Sequence, residues 1–136
     1  MALEALDHYT IQCADMAATR DFYRDVLGLV EGFRPAIPFP GHWLYCGDRP
    51  VVHLLGAAGA MPENRGARLG EVTGSLDHIA FRGTDAAATI ARLTARGIAF
   101  REAVLGDIGL HQVFVRDPNG IMVEMNFREK QSGGTA

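Results

Sequence analysis

The opening segment alternates, with Leu6, His8, Thr10 and Gln12 on one side of an extended chain and Asp7, Tyr9, Ile11 and Cys13 on the other. That is the period of a β-strand. Asp15 follows and offers a short carboxylate to the free N–H groups of a first helical turn. Ala18, Phe22, Val26 and Leu29 recur at helical spacing, which predicts a helix over 16–27 closed by Gly28 in the left-handed conformation. Short β-type runs follow at 29–34, 43–47 and 50–55. The same order then restarts. Asp85 is a second N-cap, Ala86, Ile90 and Leu93 share a face of a helix over 86–96, and Gly97 stops it. Strands are expected at 98–102, 111–116 and 121–127, with Asp117-Pro118-Asn119-Gly120 as the turn between the last two.

The restart is visible in the residues themselves. Leu6-Asp7-His8 returns as Leu76-Asp77-His78, Asp15 as Asp85 and Ala17-Ala18-Thr19 as Ala87-Ala88-Thr89, all at a shift of 70 positions. Each copy reads strand, helix, then three strands. The expected organisation is α+β: a first βαβββ module at 4–55, a Gly- and Ala-rich linker at 56–74, a second module at 75–127 and a polar tail at 128–136.

Composition narrows the setting. A chain of 136 residues with 48% hydrophobic content fills a core without disulfides. Its net charge is −3, and the 13 Lys and Arg are scattered along the chain, which argues against a nucleic-acid partner. Cys13 and Cys46 lie in apolar stretches rather than a CxxC pair and read as buried, reduced thiols. The first residues lack a basic stretch followed by a long apolar one, and no run approaches the ~18 apolar residues of a membrane span. The expectation is a cytoplasmic protein without a membrane partner.

The candidate chemistry lies in four residues that the duplication relates. His8 corresponds to His78, and His53 corresponds to Glu124 at a shift of 71. His53 sits between Val52 and Leu54, and Glu124 between Val123 and Met125, where a bare charge is costly to bury and a cation would offset it. Imidazole and carboxylate side chains on rigid strands are suitable donors for one divalent metal. Two histidines and one carboxylate also form the facial set that leaves positions open on non-haem iron. Iron(II) suits oxygen chemistry, whereas zinc, nickel or manganese suits proton transfer; iron is slightly favoured here.

Residues 5–127 resemble the vicinal oxygen chelate superfamily, which includes glyoxalase I, bleomycin-resistance proteins, fosfomycin-resistance enzymes and extradiol dioxygenases. The residues carrying the resemblance are Leu6-Asp7-His8, Phe22 to Leu29 (FYRDVLGL), Leu76 to Phe81, and Asp117 to Glu124. The resemblance implies paired βαβββ modules forming an open, barrel-like mixed sheet around a metal, and a homodimer. It implies metal ligation by His8, His78 and Glu124. It departs at His53, where glyoxalase I has a glutamate that is both ligand and participant in proton transfer. An imidazole there can ligate, or act as a base near neutrality. His53 and Glu124 are therefore the catalytic candidates.

Alternation adds cavity-lining candidates for a small-molecule substrate: Thr10 and Gln12 on the His8 face, Arg82 on the His78 face, Met122 and Asn126 on the Glu124 face, and His111 or Gln112 at the start of a strand. The segment Arg34 to Trp43, with three prolines, reads as a semi-rigid loop over a pocket mouth or as an aromatic contact between subunits, and His42 as exposed. The function expected is a metal-dependent enzyme that chelates vicinal oxygens of a small substrate, with dioxygenase chemistry slightly ahead. The alternatives are a glyoxalase I-like lyase or isomerase, and a metal-free ligand-sequestering protein of the bleomycin-resistance type.

Overall fold

The computed structural model describes residue 2 and residues 4–56 and 73–128. Most of the expected linker (57–72) and of the expected tail (129–136) lies outside the described residues. The chain divides into two compact units, Met1–Gly70 and Glu71–Ala136.

In the first unit, β1 (Tyr9–Gln12) leads to α1 (Met16–Asp21), a π-wound continuation at Phe22–Val26, then β2 (Val30–Gly32), β3 (Gly41–Cys46) and β4 (Arg49–Leu55). The sheet order is β1-β4-β3-β2, with β1 parallel to β4 and the other pairs antiparallel. The second unit repeats this with β5 (Ile79–Gly83), α2 (Ala86–Ala95), β6 (Arg101–Leu105), β7 (Leu110–Arg116) and β8 (Met122–Arg128), in the order β5-β8-β7-β6. Again the outer pair β5 and β8 is parallel and the rest antiparallel. Both units are four-stranded mixed sheets with one main helix each, the α+β tandem βαβββ arrangement.

The repeated Asp residues start both helices. Asp15 Oδ1 accepts from the Ala18 N–H at 2.9 Å, and Asp85 Oδ1 from the Ala88 N–H at 3.0 Å. The backbone carbonyls of the same residues accept from Thr19 and Thr89 hydroxyls at 3.0 and 3.3 Å. Replacing either cap by alanine would cost ~1 kcal/mol.

Element ends differ from expectation for local reasons. The first helix is α-wound only to Asp21, because the Leu27 N–H reaches back to the Phe22 carbonyl (3.1 Å) and the Leu29 N–H to that of Tyr23 (2.9 Å). This wider winding buries Phe22, Tyr23 and Val26, and Gly28 ends it at φ 83°. Leu29 is thereby spent on closing the helix, and β2 keeps only Val30–Gly32. After α2, the Ile98 N–H donates to the Leu93 carbonyl at 3.0 Å with Gly97 at φ 67°, so β6 begins at Arg101 rather than 98. β3 begins at Gly41, which removes His42 and Trp43 from the expected loop.

Each sheet turns one face to its helix. In the first unit the registered pairs Leu44↔Val52 and Ile11↔Leu54 are buried, and α1 packs across β3 and β4. In the second, Val123↔Val115 and Met125↔Val113 are buried with Leu93 of α2. Each such aliphatic side chain contributes about 1.5–3 kcal/mol on burial. Neither cysteine is in a disulfide; Cys13 is buried as expected, but Cys46, the last residue of β3, is exposed. Among the described residues no helix is long and apolar enough to cross a membrane.

Candidate functional site

Residues paired across neighbouring strands share a sheet face, so register assigns each candidate to a side. In the first unit Thr10, His53 and Trp43 are partners across β1, β4 and β3, with Gly32 of β2 opposite Trp43. They occupy the face away from the buried Leu44, Val52 and Leu54. In the second unit the matching column is Ala80, Glu124, Phe114 and Arg101 across β5, β8, β7 and β6. The next column on that face is Arg82, Asn126, Gln112 and Ala103.

His8 lies just before β1, and its ring stacks on His53 with centroids 3.7 Å apart. His8 Nδ1 donates to Asp7 Oδ2 at 2.5 Å. A carboxylate only accepts, so this contact assigns the proton to Nδ1 and leaves the Nε2 lone pair free. The same pairing holds Asp7 below its ordinary carboxylate pKa. His53 Nε2 donates to the Pro50 carbonyl at 3.0 Å, which leaves Nδ1 as its lone-pair nitrogen. Burial first, and the neighbouring His8 second, push the His53 imidazole below its ordinary 6.5 and favour the neutral ring.

The second unit repeats the Asp–His contact. His78 Nδ1 donates to Asp77 Oδ2 at 2.7 Å, and His78 Nε2 stands 3.3 Å from Glu124 Oε1. Hydrogen bonding to Asp77, then the Glu124 charge, raises the His78 pKa above its ordinary 6.5. Glu124 is buried, and its other oxygen, Oε2, accepts from Asn126 Nδ2 at 2.8 Å. Asn126 in turn accepts from Gln112 Nε2 at 3.1 Å. This amide relay fixes the carboxylate with Oε1 toward His78. A polar cleft of about 650 Å³ adjoins Asp77, lined also by Ser75, Leu76, Arg116 and Asp117.

Within each unit, then, the structure brings His8 to His53 and His78 to Glu124. Either unit assembles such donors as pairs and not as groups of three or more among its described residues. The donor chemistry fits a divalent metal: a carboxylate on Nδ1 is the usual outer-shell partner of a metal-binding imidazole, and both first-strand histidines have one. Thr10 stands beside His53, with Gln12 further along β1 opposite Leu55. Arg82 and Asn126 share the Glu124 face, as does Met122 two residues before Glu124 on β8. His111 does not. It pairs with Phe127 on the opposite face and contacts Glu102 at 2.8 Å, so Gln112 is the residue of that pair on the Glu124 side. His42 is half-buried against Glu31 at 2.5 Å rather than exposed. Asp7, Asp77 and Trp43 were not among the expected site residues, whereas Gln112 was offered there as the alternative to His111.

The family model for the Glyoxalase/Bleomycin resistance protein/Dioxygenase superfamily matches residues 5–125, and the chain belongs to that superfamily, the vicinal oxygen chelate proteins. Glyoxylase I 4 of Arabidopsis thaliana is 30% identical over 126 residues, covering 90% of this chain and 70% of that protein. A glyoxalase/dioxygenase from Nostoc punctiforme has the same fold at a TM-score of 0.73 and 20% identity, over 95% of this chain and 94% of that one. Lactoylglutathione lyase from Agrobacterium tumefaciens matches at a TM-score of 0.66 and 25% identity, over 92% and 94% of the two chains.

Proposed function

We propose that the chain is a metal-dependent enzyme of the glyoxalase type, with His8, His53, His78 and Glu124 as metal donors, acting on a small substrate that carries oxygens on adjacent carbons. The carrying observation is the duplicated Asp–His contact, which holds Nδ1 of His8 and of His78 and directs the other ring nitrogen away from that aspartate, in the second unit to within 3.3 Å of the buried Glu124 carboxylate. A bound divalent metal would polarise the vicinal oxygens and stabilise negative charge developing on them. The homodimer implied by the family resemblance is part of this proposal.

The reaction that these residues support is an isomerisation. A proton leaves the carbon bearing a hydroxyl and is delivered to the neighbouring carbonyl carbon while the hydroxyl proton passes to the former carbonyl oxygen, so carbonyl and carbinol exchange places and no atoms are gained or lost. Two basic atoms are suited to it. His53, whose neutral ring is favoured, offers Nδ1, and Glu124 offers Oε1, its Oε2 being held by Asn126; as both are proposed donors, each would act as a base only when displaced from the metal. Asn126 and Gln112 keep that carboxylate oriented.

Ligand type supports a second reading. His8, His78 and Glu124 alone make the two-histidine, one-carboxylate set of iron(II) oxygenases, with His53 as an assisting base. Against this, the resemblance to extradiol dioxygenases implies a tyrosine on the strand preceding the carboxylate strand, whereas β7 carries none and places Phe114 opposite Glu124. Proton transfer therefore stands ahead of dioxygenation.

The test is turnover of an α-oxoaldehyde–thiol adduct by the wild type, by chelator-treated protein and by Glu124→Gln. Chelation should abolish turnover. Glu124→Gln should lose about 100-fold or more in kcat/KM, ~2.7 kcal/mol of transition-state stabilisation, while keeping its fold. Full turnover by either sample would sink the reading; turnover of a catechol with iron(II) instead would move the assignment to the second.

A further inference from the structure

The His53 ring is covered on both faces. His8 lies 3.7 Å away at an interplanar angle of 16°, and the Trp43 indole lies 4.0 Å away at 7°. We propose that Trp43 is a positioning residue for His53, its flat face fixing the plane in which His53 presents Nδ1 to a metal. This rests on His53 being a metal donor, as read above.

Three observations carry the proposal. First, the terminal torsion of a histidine is broad and two-fold, so its ring plane must be set by surroundings. Here the stack sets it, while the Nε2 contact with the Pro50 carbonyl selects which nitrogen remains. Second, Trp43 is only half-buried and lies on the sheet face away from α1, so filling the helix-side core does not account for it. Third, the corresponding aromatic of the second unit is used differently. Phe114 stands opposite Glu124, which has no ring to stack, and its face is covered instead by the Arg101 guanidinium carbon at 4.0 Å. An aromatic at this column position is common to both units; stacking on the donor residue is confined to the first.

Trp43 is the only tryptophan in the chain, so its emission reports directly on the stack. The experiment is a Zn²⁺ titration of the full chain with affinity measured by chelator competition. The variants are Trp43→Leu, Trp43→Phe, Phe114→Leu and His53→Ala, each checked by circular dichroism. Trp43→Leu keeps apolar bulk but loses the plane, and should bind zinc about 3–10-fold more weakly, the scale of one aromatic stacking contact. Trp43→Phe should restore most of the affinity, and Phe114→Leu should leave it unchanged. In a His53→Ala background, Trp43→Leu should add nothing, because the two act through one group.

Wild-type emission should change on zinc addition, and His53→Ala should abolish that change, a readout that needs no Trp43 variant to fold. Unaltered zinc affinity in Trp43→Leu overturns the proposal, as does an unchanged wild-type emission at saturating zinc. Wild type that binds no zinc at all overturns the donor reading itself, and so is distinguishable from failure of the Trp43 role.

Discussion

In the first unit the central column of the sheet face away from the helix reads Thr10, His53, Trp43 and Gly32; in the second it reads Ala80, Glu124, Phe114 and Arg101. The backbone places these residues alike, and each unit prepares its first-strand histidine with the same neighbouring aspartate. What differs is the partner on the last strand. An imidazole can be sandwiched by flat groups, so the first unit holds its donor by stacking. A carboxylate cannot, so the second holds its donor by hydrogen bonds from Asn126, itself bonded by Gln112. The duplication has kept the positions and exchanged the forces that fix them.

The largest effect that would break this comparison is on what the units share. Asp7→Ala and Asp77→Ala should each weaken metal affinity about 10–100-fold, by similar factors. A loss confined to one of them would show that only one unit's Asp–His pair is functional. Chelator competition on the two folded variants measures it.

A smaller effect sharpens what the units do not share. In the metal-free protein, proton NMR should find His78 titrating above 6.5, because Asp77 and Glu124 favour its charged form, and His53 below 6.5, because burial and His8 disfavour it. The signs of the stability linkage are therefore opposite. The His78 contribution is fully present below 6.5 and lost as pH rises through its folded value; that of His53 is present above 6.5 and lost as pH falls through its folded value. Matching midpoints for the two rings would contradict the contrast drawn between them.

The Leu-Asp-His repeat, both Asp caps and the glycines closing the helices were legible in the sequence because each depends on local geometry alone. So were the faces of Thr10, Arg82, Met122 and Asn126, since they follow from alternation around residues already chosen. His111 illustrates where alternation fails. The face of a residue at a strand end turns on a one-residue difference in where the strand begins, and β7 begins at Leu110 with His111 opposite Phe127. The contacts of Asp7 with His8 and Asp77 with His78 were hidden because adjacent residues on a strand point to opposite faces. These pairs precede β1 and β5, where the chain is not yet bound into the sheet. Trp43 stood where two readings met, the first residue of the strand expected at 43–47 and the last of a segment whose three prolines read as a loop, so its face was not assigned. A signal was nevertheless present, for Trp43 and Phe114 are separated by the same 71 positions as His53 and Glu124.

The most direct test of the central claim is elemental analysis of the chain purified anaerobically, wild type beside Glu124→Gln at matched concentration. A near-stoichiometric divalent metal in the wild type that is lost in Glu124→Gln is the predicted result. Wild type that carries no metal and takes up none of iron(II), zinc, nickel or manganese would contradict the account and put the ligand-sequestering reading in its place.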